Sequence, residues 1–126
     1  MKRKARVPDH WDMITERAFT AQVIRLAQHL GWRTAHFRPG KTQRGRWVTA
    51  VQGDGAGFPD LVLVHPTKCR LIFAELKREY GGVISDKQNK WLDALTAVRD
   101  MAKGCNCVEV FLWQPSDIDD IESVLK

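Results

Sequence analysis

The chain predicts an α/β fold with a mixed central β-sheet flanked by helices. Three observations lead there. Two long segments, about 13–30 and 86–103, carry apolar residues at helical spacing. Short apolar runs bounded by turn residues lie at 32–37, 47–51, 61–64, 69–77 and 108–113. One pair of these runs is joined by a tight turn and another by a helical crossover, so both antiparallel and parallel pairing are expected. At 126 residues the chain has the length of one ordinary domain with its own core.

Residues 1–12 read as a basic N-terminal arm, with Pro8 discouraging helix just before it, and 13–126 as a single domain. In the first helix, Phe19, Val23, Leu26, Ala27 and Leu30 form one apolar stripe, and Gly31 is a natural residue just past its end. Glu16 falls on the same stripe. It is either a first-turn acid favoured by the helix dipole or a functional group turned inward. Residues 32–37 read as a strand, 38–46 as a loop rich in glycine and cations, and 47–51 as a second strand. Three glycines at 53, 55 and 57 make a turn into Phe58-Pro59-Asp60. The strands at 61–64 and 69–77, joined at 65–68, form an antiparallel hairpin.

Gly81-Gly82 interrupts the chain. Ser85 followed three residues on by Gln88 is a capping box opening the second helix. Trp91, Leu95, Val98 and Ala102 give its expected buried stripe, and Gly104 its stop. The run at 108–113 should then join the sheet as a parallel strand through a right-handed crossover. Pro115 and Ser116 open a last short helix with Ile118, Ile121, Val124 and Leu125 apolar.

Composition narrows the class. The apolar share of 44% and charged share of 28% fit a soluble globular protein. No apolar run approaches the roughly 20 residues of a membrane span, and no apolar segment follows the basic start as in a signal peptide. Three cysteines, Cys69, Cys105 and Cys107, make an odd, late cluster. That argues against a disulfide framework and for a reducing cytosol. Cys105-Asn106-Cys107 lacks a second Cys/His pair for zinc and reads as small strand residues.

The formal net charge of +5 is unevenly spread. Residues 17–53 contain no Asp or Glu but include Arg17, Arg25, Arg33, Arg38, Lys41, Arg44 and Arg46, while Asp117, Asp119, Asp120 and Glu122 crowd near the end. A one-signed basic half suggests a polyanionic partner, most simply nucleic acid; the alternative is a surface merely solvated by charge.

The chemistry centres on Glu75 and Lys77. Strand alternation puts both on one face with Leu71 and Phe73. A carboxylate and an ammonium thus end an apolar row, where charges rarely stand without partners. If Asp60 lies beside them, two carboxylates and a lysine converge. Such a group can hold a hard divalent cation and activate water. The main-chain carbonyl of Leu76 offers a further oxygen, and Lys77 can orient a nucleophile or stabilise charge. The alternative for Lys77 is a simple salt bridge.

Gly57-Phe58-Pro59-Asp60-Leu61, then Phe73-Ala74-Glu75-Leu76-Lys77, then Ser85-x-x-Gln88 resembles the PD-(D/E)xK nuclease superfamily, and within it the VRR-NUC family. The match runs from about 13 to 113, with Glu16 corresponding to a glutamate on that family's first helix. The resemblance implies a restriction-endonuclease-like core and a Mg2+- or Mn2+-dependent nuclease. Asp60 and Glu75 would bind metal, with Leu76 and Glu16 as further ligands. Lys77 would act in catalysis, and Gln88 would touch the site from the second helix; its alternative is the cap alone.

Lys41, Arg44, Arg46 and Arg78 are the candidates for phosphate contacts, or are ordinary solvated cations. His36 precedes the cationic loop and reads as structural more readily than as functional. The resemblance further implies a small stand-alone nuclease of the phage or bacterial type, acting in the bacterial cytoplasm. Several relatives share their shape with junction-resolving enzymes. A structure-specific DNA endonuclease acting as a homodimer is therefore expected, without sequence specificity, membrane attachment or a small-molecule cofactor. The competing readings are a non-catalytic nucleic-acid-binding module and an RNA-directed nuclease.

Overall fold

The computed structural model describes residues 9–37, 40–41, 47–48, 52–102 and 104–126, with the backbone alone at 40–41 and 47–48. Its elements are α1 (Glu16–His29), β1 (Arg33–His36), β2 (Gly40–Lys41), β3 (Trp47–Val48), β4 (Leu61–His65), β5 (Arg70–Leu76), α2 (Asp86–Met101), β6 (Val108–Trp113), a 3₁₀ turn (Pro115–Asp117) and α3 (Ile118–Leu125).

The four-stranded sheet has the order β1-β4-β5-β6. β4 pairs antiparallel with β1 and with β5, placing Leu61 opposite His36 and Ala74. β6 runs parallel to β5, with Leu71 opposite Val108 and Leu76 opposite Trp113. The expected hairpin and parallel crossover are both present. Of the strand expected at 47–51, Trp47–Val48 pairs with Gly40–Lys41 in a separate two-stranded ribbon, and 49–51 lie outside the described residues. β4 already holds β1 on one side and β5 on the other, so no place is left beside it.

Alternation along β4 and β5 sends Leu61, Leu63, Ile72, Ala74 and Leu76 to one face, all fully buried. Phe19, Val23 and Ala27 of α1 and Ile121 and Leu125 of α3 complete this core. Each large aliphatic side chain removed from water there contributes about 1.5–3 kcal/mol. α1 begins three residues later than the periodicity suggests. Thr15 Oγ1 accepts from Ala18 N at 3.0 Å and caps the helix, while Asp9 and Asp12 close a turn ahead of it.

The opposite face is thinner. Phe58 packs edge-on against Phe37, Phe73 and Trp91, with ring centroids 5.4, 6.0 and 4.9 Å apart. α2 lies on this side, and none of its residues is fully buried. The stripe expected on it is therefore only half right: Trp91 and Leu95 are partly covered, but Val98 is 57% exposed. The periodicity is real, but the sheet beneath the far end of α2 stops at β6, an edge strand.

α3 is held at its end by side chains from the end of the sheet where β1 and β5 begin. Trp32 Nε1 donates to the Leu125 carbonyl at 2.9 Å, Arg70 Nη1 to that of Val124 at 2.8 Å, and Lys68 Nζ to that of Lys126. Arg70 also makes a two-pronged ion pair with Glu109 and stacks over Trp32. The cysteines depart from expectation. Cys105 and Cys107 precede β6 rather than lying in it, and they form a disulfide. The turn into β5 leaves Cys69 at φ +51°, with its sulfur 3.4 Å from that of Cys107.

Candidate active site

Glu75 is fully buried near the end of β5, on the face shared with Phe73 and turned toward α2. Three elements converge on it. The hairpin register brings Asp60, the residue just before β4, beside the end of β5. There Asp60 Oδ2 accepts from the Leu76 amide at 3.1 Å. The 53–57 turn holds Asp60 in place. Gly57 adopts φ +85°, and a Cβ on it would stand 2.5 Å from the Lys87 carbonyl carbon, so only glycine fits between the turn and the start of α2. Pro59 is fully buried, and the Asp60 carbonyl accepts from Phe37 N at 2.9 Å.

The second element is the start of α2. Ser85 Oγ accepts from Gln88 N at 3.2 Å and Gln88 Oε1 accepts from Ser85 N at 2.9 Å. The same Gln88 side chain uses its Nε2 to donate to Glu75 Oε1 at 2.9 Å. The cap and the contact with the site are one side chain doing both. Lys77 supplies the third approach, its Nζ 3.5 Å from Glu75 Oε1.

The other Glu75 oxygen, Oε2, is buried and has no hydrogen-bond donor among the described residues. Burial, and then the Asp60 carboxylate beside it, push the Glu75 carboxyl up to about 8, against an opposing pull from Lys77. The two carboxylates are close enough to share a proton. When both are ionised neither can donate, which leaves Oε2 without a partner. Glu16 reaches the same field from α1. Partial burial and Asp60 raise its pKa while Lys77 and Arg78 lower it, burial being the largest influence.

A cavity of about 430 Å³ opens next to Lys77, lined by Thr15, Glu16, Arg78 and Val83 among others. Its size suits one unit of a small ligand or polymer. Among the described residues no three His, Cys, Asp or Glu side chains stand as a ready metal cage. The pair Asp60 and Glu75, with its orphaned buried oxygen, nonetheless matches what a cation that keeps several of its own waters requires.

The family model described as the VRR-NUC domain matches residues 5–107. This chain belongs to the VRR-NUC family. It is thus a member of a nuclease family, and its mixed four-stranded sheet with flanking helices is a restriction-endonuclease-like α/β fold. No curated protein and no solved structure matches the chain.

Within this VRR-NUC domain the structure brings Glu16, Asp60, Glu75, Lys77 and Gln88 together. It places Arg78 on the cavity wall, exposed just past β5. The Leu76 side chain is buried on the opposite face, and its amide serves Asp60. Lys41 lies in β2, while Arg44 and Arg46 fall outside the described residues. His36 ends β1 and is exposed. Sequence reasoning missed Thr15 as the cap of α1. A threonine just before the apolar stripe was the available signal. It also missed the Phe58 cluster, for which no local signal exists.

Proposed function

We propose that the chain is a Mg2+- or Mn2+-dependent DNA endonuclease, directed by DNA structure rather than by base sequence. The observation that carries this reading is the buried, unpartnered Oε2 of Glu75 beside Asp60. An ionised carboxylate in that position is costly unless a cation or a proton accompanies it. Asp60 and Glu75 would hold the cation, with the Leu76 carbonyl and Glu16 as further oxygens. When bound, such a cation lowers the pKa of a water molecule and offsets charge gathering on the phosphate.

The chain's own groups do the remaining work. Gln88 fixes Glu75 through Oε1 and so leaves Oε2 available. Lys77, tethered to Glu75 and facing the cavity, orients the attacking water and counters negative charge on the phosphate. Arg78 on the cavity wall, with Lys41, Arg44 and Arg46 from the basic stretch, contacts the phosphates on either side. A homodimer would set two such sites on the two strands of a branched substrate.

The test is cleavage of a four-way junction, a flap and a plain duplex with Mg2+, alongside matched RNA. The branched DNA is expected to be cut fastest. Lys77→Ala should lower the cleavage rate by about 10²–10⁴-fold while sparing DNA binding. Glu16→Gln should weaken activity and shift the Mg2+ titration. Cleavage by Lys77→Ala at the rate of the parent would sink the assignment; preferential cutting of RNA would redirect it.

A further inference from the structure

The three cysteines meet at the end of the sheet opposite the carboxylates, and nothing in the nuclease reading uses them. Cys105 and Cys107 are bonded to each other across a separation of two residues. Cys69 is free, exposed, and held at φ +51° by the turn that feeds β5. Its sulfur stands 3.4 Å from that of Cys107, the nearer half of the disulfide. The backbone fixes this meeting: the Leu71 amide donates to the Cys107 carbonyl at 2.7 Å, and Leu71 lies opposite Val108 in the parallel pair.

A thiolate in contact with one sulfur of a disulfide is the starting arrangement for exchange. We propose that Cys69, Cys105 and Cys107 form a thiol–disulfide exchange site with Cys69 as the entering nucleophile and Cys107 as the shared sulfur. Cys69 gives up its proton to solvent and its sulfur bonds to Cys107. The Cys105–Cys107 bond breaks, and Cys105 leaves with the electron pair and takes up a proton. No oxidant is consumed, because the disulfide is already present. The exposed Cys69 can also attack an external low-molecular-weight disulfide of the glutathione type, forming a mixed disulfide as the other half leaves as a thiol.

The two products differ in what they restrain. The Cys105–Cys107 bond spans two residues and confines almost nothing. A Cys69–Cys107 bond spans 38 and encloses Glu75, Lys77, Gln88 and all of α2. Stabilisation by a disulfide grows with the segment it closes. Exchange therefore converts a local link into a staple across β5 and β6, at the foot of the strand that carries Glu75.

The experiment equilibrates the protein in a buffer of reduced and oxidised glutathione, traps free thiols with an alkylating agent, and maps disulfides in unreduced peptides. The parent protein should yield some Cys69–Cys107 linkage with Cys105 alkylated. Cys105→Ser, in which glutathione disulfide is the oxidant, should form Cys69–Cys107 throughout. Its Tm should stand about 10 °C above that of its own reduced form. Cys69→Ser should form only Cys105–Cys107, with a Tm within about 2 °C of its reduced form. A parent protein with no Cys69–Cys107 linkage, or a Cys105→Ser variant with both remaining thiols alkylated, would overturn the proposal. None of these readouts depends on nuclease activity.

Discussion

Glu75 sets the terms at the level of single residues. Its carboxyl is pushed up from 4.5 to about 8 by burial and by Asp60. As pH rises past the ordinary carboxyl range, the unfolded chain releases this proton while the folded chain keeps it. The folded state thus holds more protons in that interval, and its stability must fall with rising pH. In a chelating buffer, thermal unfolding should show Tm declining from about pH 5 to about pH 8. Glu75→Gln should flatten that decline, and added Mg2+ should restore Tm at the upper end. A Tm indifferent to pH over this range would mean that the carboxyl is already ionised in the metal-free fold. Much of this residue's setting was legible. Period-two alternation placed Glu75 with Phe73, and the capping-box spacing placed Gln88. The orphaned Oε2 was not legible, because it depends on how β4 registers against β5 and on which oxygen Gln88 takes, and neither is local.

Among the elements, the turn before β4 and the start of α2 act as one unit. Gly57 and Gly53 both have positive φ, yet a Cβ on Gly53 would meet nothing within 4 Å. The pair is an internal comparison. Gly53→Ala should cost about 1–2 kcal/mol, the conformational strain alone. Gly57→Ala adds a collision with the α2 backbone and should cost about 2–4 kcal/mol in urea denaturation, with cleavage impaired as Asp60 shifts. Equal costs would mean that the turn can move away from the helix without loss. The glycines were legible as a turn, but their unequal roles were not, since packing against Lys87 is tertiary. The same distinction explains α2. Its spacing identified an apolar face, but the area of sheet available to cover that face is set by strand order. Of the strand expected at 47–51, Trp47–Val48 is extended while 49–51 lie outside the described residues; only topology could show that 47–48 pairs with 40–41.

For the molecule as a whole, charge and connectivity dominate. Among the described residues no helix is long and apolar enough to cross a membrane. Of the basic stretch, Lys41, Arg44 and Arg46 fall in sequence between β1 and β4, upstream of Asp60. If it carries phosphate contacts, Arg44→Ala with Arg46→Ala should reduce the slope of log affinity against log salt by about 2. An unchanged slope would move the DNA path elsewhere on the surface. The overall topology was readable because one tight turn and one helical crossover leave little freedom in how β4, β5 and β6 pair. What seals the end of the sheet away from the carboxylates was not readable, since Trp32, Lys68 and Arg70 find partners 93, 58 and 54 positions away. These three side chains grip carbonyl oxygens of the last turn, not side chains. Such a latch is blind to spelling and strict about counting. Changing the exposed side chain at 126 should leave it intact, whereas deleting one residue from α3 would rotate every oxygen out of reach.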